Sequence, residues 1–362
     1  MRFIATCHPA SEELAKHEMR NLGCTDLSLL GEGIILAHSE LEFDNLHSAG
    51  LLFVRHLANI EHELSIAERG MSSDTVGAQI LKSLLSCLGE RPAALVALQL
   101  RTQGLSDSNF KRELIAILNS GLTAAGITLA RKAPELIASV MITGASVFIG
   151  ICTPQQALSS WPGGEVRYRH DEQQMVSRAE LKLVEAREVL NFSPNRDFPV
   201  LDLGAAPGGW TRILAQSQYR VVAVDPALLD EHVARMRGVV HHRTVADRFL
   251  STYRGESFGA IVNDMRMDPV ASAQIMRDCA AFLMPLGLGL MTLKLQKEGA
   301  QGATKHGVEK TFAVIKQTFV VLSEVFSVSS ARQLFHNRSE ITLVLRLDPA
   351  VKIGSASQEG SA

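Results

Sequence analysis

The chain has 362 residues, with 36 Lys and Arg against 38 Asp and Glu, and 46% of its residues are hydrophobic. This composition excludes a disordered or collagen-like protein, and the length allows two or three domains with a core in each. A nucleic-acid partner usually accompanies a basic excess, and no such excess is present here.

The chain has no features of a membrane or secreted protein. No uninterrupted apolar run reaches the roughly 20 residues that a membrane span needs, and residues 1–10 lack the basic and then apolar layout of a signal peptide. We therefore predict a cytoplasmic protein without a membrane partner. The five cysteines are widely spaced and never form CxxC, so neither a disulfide framework nor a metal site is predicted. The oligomeric state stays open.

The first 160 residues mix helical and strand patterns. Helices are predicted over 11–22, 75–88 and 109–119. Strands are predicted over 94–100, 127–130, 136–143 and 146–151. A cluster of Ser, Pro and Gly at 159–164 predicts a domain boundary.

After this cluster, strands and helices alternate. Strands are predicted over 199–203, 220–224, 238–243, 260–263, 289–293, 322–328 and 340–347. Helices are predicted over 177–190, from the turn after 203 to about 216, and over 228–236, 269–283 and 308–318. Such alternation is typical of βαβ units and a parallel sheet covered on both faces. The last two strands lack a helix between them, which favours an antiparallel pair at one edge.

A glycine-rich turn follows the first of these strands. Residues 201–210 read LDLGAAPGGW, and Asp225 follows at the end of the next strand. Glycines let the backbone approach a ligand closely, the next helix presents free N–H groups, and an acid at this place can accept ribose hydroxyls. The pattern favours an adenosine-containing cofactor over a purely structural turn. A dinucleotide is disfavoured because the GxGxxG spacing is broken by Pro207.

The seven residues Gly204–Trp210 resemble the GAAPGGW loop of the FtsJ (RrmJ) type of RNA ribose 2′-O-methyltransferase. The resemblance implies a Rossmann-like methyltransferase domain that uses S-adenosyl-L-methionine. It implies cofactor contacts at Ser177, Gly204, Ala206, Pro207, Gly208, Gly209, Trp210, Asp225, Asp247 and Asp264. For Ser177, a helix cap is the favoured role.

The same family carries a catalytic tetrad of Lys, Asp, Lys and Glu, and each member has a match. Lys182 lies in SRAELKL, Asp264 follows Asn263, Lys294 ends MTLK, and Glu340 ends NRSE. Three of the four fall at predicted strand ends, the edge where open α/β sheets hold ligands.

These residue types suit methyl transfer to a hydroxyl, which requires an aligned alcohol and removal of its proton. A lysine can act as the base only if its pKa falls from the usual value of about 10.4 toward neutrality. Burial and a second cation nearby lower the pKa, whereas carboxylates raise it. We therefore expect Lys294 to be the base and assign Asp264 and Glu340 to orientation. Which electrostatic effect prevails is left open by the sequence.

A second resemblance is more specific. Residues 331–342, ARQLFHNRSEIT, resemble the ARQLYHDREE segment of the RlmM (YgdE) subfamily, which methylates a cytidine 2′-hydroxyl in 23S rRNA and carries an N-terminal THUMP domain. The implied α/β architecture is a mostly parallel methyltransferase sheet with an antiparallel edge strand, preceded by an α+β THUMP-like region. We predict a small α+β module at 1–60, a THUMP-like RNA-binding domain at 61–160, the methyltransferase domain at 161–350 and a disordered tail at 351–362.

With 23S rRNA or its precursor as partner, the expected RNA contacts are Arg167, Arg169, Arg178, Arg332 and Arg338. Two alternatives remain: a methyltransferase of another RNA, or a non-catalytic RNA-binding assembly factor that retains the fold. The intact tetrad argues against the second. A small-molecule dehydrogenase is disfavoured by the Pro-Gly-Gly turn.

Overall fold

The computed structural model describes residues 1–66, 72–89, 94–104, 107–130, 132–144, 146–168, 175–295 and 304–349. The chain divides into two compact units after Val166. The tail predicted at 351–362 lies outside the described residues. Within the described part of the chain, no helix is long and apolar enough to cross a membrane.

The first unit begins with a four-stranded antiparallel sheet in the order β2-β3-β1-β4. Its elements are β1 (Arg2–Cys7), α1 (Glu12–Asn21), β2 (Thr25–Gly31), β3 (Ile34–His38), α2 (Phe43–His47) and β4 (Val54–Asn59). The sequence patterns predicted α1 but none of these strands. Five of the six side chains in β1 and in β4 are buried, so neither strand shows the alternation that marks a half-exposed strand.

The first unit continues with a five-stranded mixed sheet in the order β5-β9-β8-β6-β7. Its elements are β5 (His62–Ser65), α3 (Ser73–Leu88), β6 (Leu95–Thr102), α4 (Ser108–Ala124), β7 (Thr128–Leu129), β8 (Leu136–Ile142) and β9 (Ser146–Cys152). Both predicted helices and the β8–β9 hairpin are confirmed. The two helices pack on the sheet through fully buried apolar residues that include Ile80, Leu84, Leu114 and Leu118.

The Pro and Gly segment at 159–164 packs within this first unit. Thr6 Oγ1 donates to Gly163 O at 2.7 Å, and Gln99 Nε2 donates to Ser160 O at 2.8 Å. The segment is therefore tied to the sheets that precede it rather than standing between the two units.

The second unit is built on a seven-stranded sheet in the order β12-β11-β10-β13-β14-β16-β15. Its strands are β10 (Val200–Leu203), β11 (Val221–Val224), β12 (Val239–His242), β13 (Phe258–Asn263), β14 (Leu283–Lys294), β15 (Phe326–Arg332) and β16 (Glu340–Leu347). Its helices are α5 (Ala179–Val189), α6 (Gly209–Gln216), α7 (Glu231–Ala234), α8 (Ala246–Thr252), α9 (Pro269–Cys279) and α10 (Lys305–Leu322). Every residue of β10 and β13 is buried, as expected for central parallel strands.

Strands β10 to β14 run parallel, so their carboxyl ends meet at one edge of the sheet. Strand β16 is antiparallel to both β14 and β15, which confirms the predicted antiparallel pair. Because β16 runs the other way, its first residue lies at the edge where β14 ends, and Lys294 pairs in register with Glu340. The strand order also changes direction between β10 and β13, where open α/β sheets bind ligands.

The structure of this unit differs from the sequence prediction at β15 and at α8. The strand predicted at 322–328 is wrong at its start, because α10 extends to Leu322 and β15 begins only at Phe326. Residues 311, 315, 318 and 322 are buried at helical spacing, so packing carries the helix through a β-branched and aromatic stretch. Helix α8, which contains Asp247, was not predicted.

Candidate active site

The four predicted tetrad residues form one ring of alternating charge. Lys182 Nζ lies 3.2 Å from Asp264 Oδ1 and 2.5 Å from Glu340 Oε2. Lys294 Nζ contacts Asp264 Oδ1 and lies 3.2 Å from Glu340 Oε1. Each lysine therefore contacts both carboxylates, and the four side chains are 13–18% exposed.

Each ring member is placed by a different element. Lys294 ends β14 and Glu340 begins the antiparallel β16, so backbone pairing fixes them side by side. Asp264 directly follows β13, the other neighbour of β14. Lys182 comes from α5, which precedes the sheet in sequence. Three strand ends and one helix therefore converge at the carboxyl edge of the sheet.

The electrostatics of the ring favour charged forms of Lys182 and Asp264. Burial alone would lower the pKa of Lys182, but Asp264 and Glu340 outweigh it, and the pKa is raised. Burial would raise the pKa of Asp264, but Lys294 and Lys182, together with the Thr292 hydroxyl, hold it below the usual range. Lys182 is thus held as an ammonium and Asp264 as a carboxylate.

Sequence reasoning missed two residues that hold Asp264 in place. Thr292 Oγ1, which is buried, donates to Asp264 Oδ1 at 2.5 Å. Asn263 Oδ1 accepts from Met265 N at 2.9 Å, and its amide donates to Ser272 Oγ at 3.1 Å, which shapes the turn that carries Asp264. Thr292 lies two residues before Lys294 on the same strand, so the two side chains share one face of the sheet. This spacing in the sequence could have indicated that Thr292 belongs to the site.

The glycine-rich turn runs from β10 into α6 at the same edge. Gly204 has a φ of +70° and Gly208 a φ of +114°, a conformation that favours glycine. A Cβ on Gly204 would overlap Met265 Cγ, and a Cβ on Gly209 would overlap Ser177 Oγ. The N-cap residue of α6 is Gly208, which has no side chain to cap the helix. Asp202 accepts a hydrogen bond from the backbone N–H of Thr211, and the amides of Gly209 and Trp210 lie before it, at the helix end that favours hydrogen-bond acceptors of a ligand.

Asp225 lies at the end of β11, beside this turn. Its Oδ2 accepts from Ala206 N at 3.1 Å and its Oδ1 from Ala227 N at 2.7 Å. Each oxygen of a carboxylate has two lone pairs, so both oxygens retain capacity for hydroxyl donors. Amides at a helix N-terminus, glycines without room for a side chain and a fixed carboxylate together fit a nucleoside cofactor.

Trp210, Asp247 and Ser177, which were also predicted to bind the cofactor, lie in three different environments. Trp210 is buried in the core, and its indole N–H donates to Ala179 O at 2.7 Å, so its side chain joins α6 to α5. Asp247 is exposed in the first turn of α8. Ser177 is not the helix cap that the sequence favoured; Arg178 holds that position, and no side chain caps α5.

Glu180, in the first turn of α5, holds the segment before the helix. Glu180 Oε1 accepts from Val176 N at 2.8 Å, and the same carboxylate is paired with Arg212. Glu180 is buried, so this pair fixes the start of α5 against α6.

A buried acid under the turn was also missed. Asp202, in β10, is buried and accepts from Thr211 Oγ1 at 2.6 Å. Burial raises the pKa of Asp202 to about 7, against the opposing effect of Thr211. The sequence could have indicated this buried acid, because Asp202 lies inside the apolar run VLDL of a central strand.

The predicted RNA-contacting arginines surround the ring in sequence. Arg178 precedes α5 and Arg338 precedes β16, and both are exposed, as is Arg167. Arg332 ends β15 and is half-buried. Arg169 lies outside the described residues. In the described part of the chain, no group of three or more His, Cys, Asp or Glu side chains is arranged to hold a metal ion.

Comparison with known proteins identifies the family of the chain. A family model described as FtsJ-like methyltransferase matches residues 175–342. The chain is 25% identical over 359 residues to ribosomal RNA large subunit methyltransferase M of Laribacter hongkongensis, covering 95% of this chain and 96% of that protein. It is 30% identical over 258 residues to the protein of the same name from Pseudomonas entomophila, covering 67% and 68%.

Among solved structures, the chain resembles TrmN from Thermus thermophilus with 16% identity and a TM-score of 0.36, over 96% of this chain and 99% of that one. This likeness is too low to add to the assignment, which rests on the sequence relatives and on the family match. The chain belongs to the ribosomal RNA large subunit methyltransferase M family, within the FtsJ-like methyltransferases.

Proposed function

We propose that the protein is an S-adenosyl-L-methionine-dependent ribose 2′-O-methyltransferase that modifies a cytidine of 23S rRNA. The observation that carries the proposal is the Lys182–Asp264–Lys294–Glu340 ring at the carboxyl edge of the sheet. Membership of a family whose members are named for ribosomal RNA of the large subunit supports the RNA class. The cytidine and the 23S rRNA rest on the resemblance of residues 331–342.

The turn and the strand ends beside it would hold the cofactor. The Gly204–Gly209 turn leaves space for close backbone approach, the α6 amides offer donors, and Asp225 offers a fixed acceptor for ribose hydroxyls. Asp247 and Ser177 complete the proposed set. When bound, S-adenosyl-L-methionine supplies an electrophilic methyl group on a sulfonium.

The ring then orients and deprotonates the ribose hydroxyl. Lys294 Nζ would first release a proton to solvent and would then accept the 2′-hydroxyl proton as the new O–C bond replaces the C–S bond of the sulfonium. Lys182 stays an ammonium and stabilises the developing negative charge on the oxygen, in keeping with its raised pKa. Asp264 and Glu340 hold both amines in position.

RNA would be held by exposed cations and by the first unit. Arg167, Arg178, Arg332 and Arg338 supply phosphate contacts in this proposal, together with Arg169. We assign residues 61–160 to a THUMP-like RNA-binding domain, 1–60 to a small α+β module and 161–350 to the methyltransferase domain. The protein then works in the cytoplasm, where ribosomes are assembled.

To test the proposal, 23S rRNA is incubated with the protein and isotope-labelled cofactor, digested with nuclease and analysed by mass spectrometry. We expect labelled 2′-O-methylcytidine with the wild-type protein and a loss of about 10²- to 10⁴-fold in rate with Lys294→Ala, because a general base is removed. Lys316→Ala, an exposed lysine of α10, is the matched control and should match the wild type. Absence of label on any ribose, or equal rates for both variants, would refute the proposal.

A further inference from the structure

A buried carboxylate on α5 lies one helical turn from the ring. Glu185 is 2% exposed and follows Lys182 by three positions, so the two side chains lie on the same face of the helix. Unlike Lys182, Glu185 contacts no ring member among the described residues; its partners are in the segment that leads into β16.

Glu185 accepts three hydrogen bonds from this segment. Its Oε1 accepts from Phe335 N at 2.7 Å, and its Oε2 accepts from His336 N at 3.0 Å and from His336 Nδ1 at 2.7 Å. An ionised carboxylate can only accept, so Nδ1 carries a proton in this contact. The His336 ring stacks on Tyr168, with ring centroids 5.7 Å apart.

The same segment is connected directly to Glu340. Asn337 Oδ1 accepts from Leu334 N at 2.8 Å and from Thr342 Oγ1 at 3.0 Å, while Asn337 Nδ2 donates to Glu340 Oε2 at 3.4 Å. The segment 333–339, which we call the β16 lead, is therefore tied to Glu185 at one point and to the Glu340 carboxylate at another.

We propose that Glu185 is a positioning residue for the ring, because it fixes the β16 lead, and through it Glu340, to the helix that carries Lys182. The inference rests on the proposed function of the ring. Lys182 and Glu340 must meet at 2.5 Å although they are far apart in sequence, and Glu185 fixes that distance from outside the ring. Displacements of about 1 Å at a reacting group reduce rates by about 100-fold.

The test compares Glu185→Gln with Glu188→Gln. Glu188 lies on the same helix, three positions after Glu185, and is exposed. Its carboxylate accepts from Tyr168 OH, so its replacement by Gln is the matched control. We expect Glu185→Gln to lower kcat by about 10- to 100-fold with KM for rRNA and Kd for S-adenosyl-L-methionine within about twofold of the wild type. Equal kcat for the two variants, or loss of cofactor affinity in step with kcat, would overturn the proposal.

A double-variant cycle identifies the route of the effect. If Glu185 acts through Glu340, Glu185→Gln should lower kcat no further in a Glu340→Gln background. Independent, multiplying losses would contradict that route. If Glu185→Gln fails to fold, His336→Phe takes its place, because it keeps a ring for stacking on Tyr168 but removes the Nδ1 donor. We expect this variant to show part of the kcat loss, and a wild-type kcat would contradict the proposal.

Hydrogen exchange separates this inference from the proposed function. The Phe335 and His336 amides should exchange at least about tenfold faster in Glu185→Gln than in Glu188→Gln, whether or not methylation is detected. An inactive wild-type protein would refute the proposed function alone, whereas equal exchange in both variants would refute the positioning role.

Discussion

The alternation of charge in the ring determines what single side chains do there. Each lysine contacts two carboxylates, and Asp264 Oδ1 receives both lysines and the Thr292 hydroxyl. Because these groups are mostly buried, a lost donor is replaced poorly by water. Residues that merely orient Asp264 are therefore expected to affect turnover measurably.

Thr292→Val tests this at one atom. The change keeps the shape of the side chain but removes the donor to Asp264 Oδ1, so we expect kcat to fall by about tenfold with the cofactor Kd unchanged. Thr318→Val is the control, since Thr318 is also buried but its hydroxyl donates to Val314 O within α10. Steady-state kinetics on rRNA decide it: equal kcat values for the two variants would remove Thr292 from the positioning set.

Asp202 predicts a pH dependence of stability. Its pKa in the folded protein is about 7, mainly because it is buried, whereas an unfolded Asp titrates near 3.9. Between about pH 4 and 7 the folded protein therefore binds more protons than the unfolded chain. The free energy of unfolding falls as pH rises through this window, and above it the full destabilisation by ionised, buried Asp202 remains and no longer changes with pH.

Asp202→Asn removes this titration and keeps an acceptor for Thr211. We expect the wild type to lose on the order of 1 to 4 kcal/mol of stability relative to the variant between pH 4.5 and 8. Urea unfolding of both proteins at the two pH values measures the difference. Parallel stability curves would contradict the burial argument.

At the scale of elements, the glycine-rich turn depends on space as well as on backbone conformation. Gly204→Ala would meet Met265 Cγ and would also place a side chain at a φ of +70°. We expect a loss of about 1 to 2 kcal/mol of stability from the backbone, and at least a tenfold weaker Kd for S-adenosyl-L-methionine from the displaced turn.

Gly238→Ala separates the two causes. Its φ is +85°, but the nearest atom to an added Cβ is 3.5 Å away, so only the backbone strain is introduced. Calorimetric titration should show cofactor binding unchanged in this variant. A similar loss of affinity in both variants would mean that general destabilisation, rather than the shape of the turn, weakens binding.

Sequence patterns predicted the second unit well because its strands are punctuated by Gly and Pro and separated by helices. The turn at Gly204 shows this punctuation, whereas the start of β16 at Glu340 was predicted from the β-rich run 340–347. Strands β1 and β4 escaped prediction because strands buried on both faces lack alternation. Glu185 and Thr292 escaped because their roles depend on partners distant in sequence, such as His336 and Asp264.

At the scale of the whole molecule, the formal net charge is only −2. A protein without a basic excess gains little from non-specific attraction to phosphates, so affinity must rest on a few local cations and on RNA shape. We therefore expect weak binding to arbitrary RNA and a shallow dependence of affinity on salt.

Combined replacement of Arg178 and Arg338 by Ala tests which cations matter. If each contacts one phosphate, the slope of log K against log salt should decrease in magnitude by about 2. Arg254→Ala is the control, since its guanidinium donates to backbone carbonyls of its own loop. An unchanged slope in the double variant would place the RNA elsewhere.

In the proposed function, the ring catalyses methylation of a ribose in 23S rRNA. A ribose-methylation map of rRNA tests it most directly, in cells that lack this gene and carry either the wild-type gene or Lys294→Ala. We expect one 2′-O-methylcytidine that disappears without the gene, returns with the wild type and stays absent with Lys294→Ala. Identical maps in all these cells would contradict it.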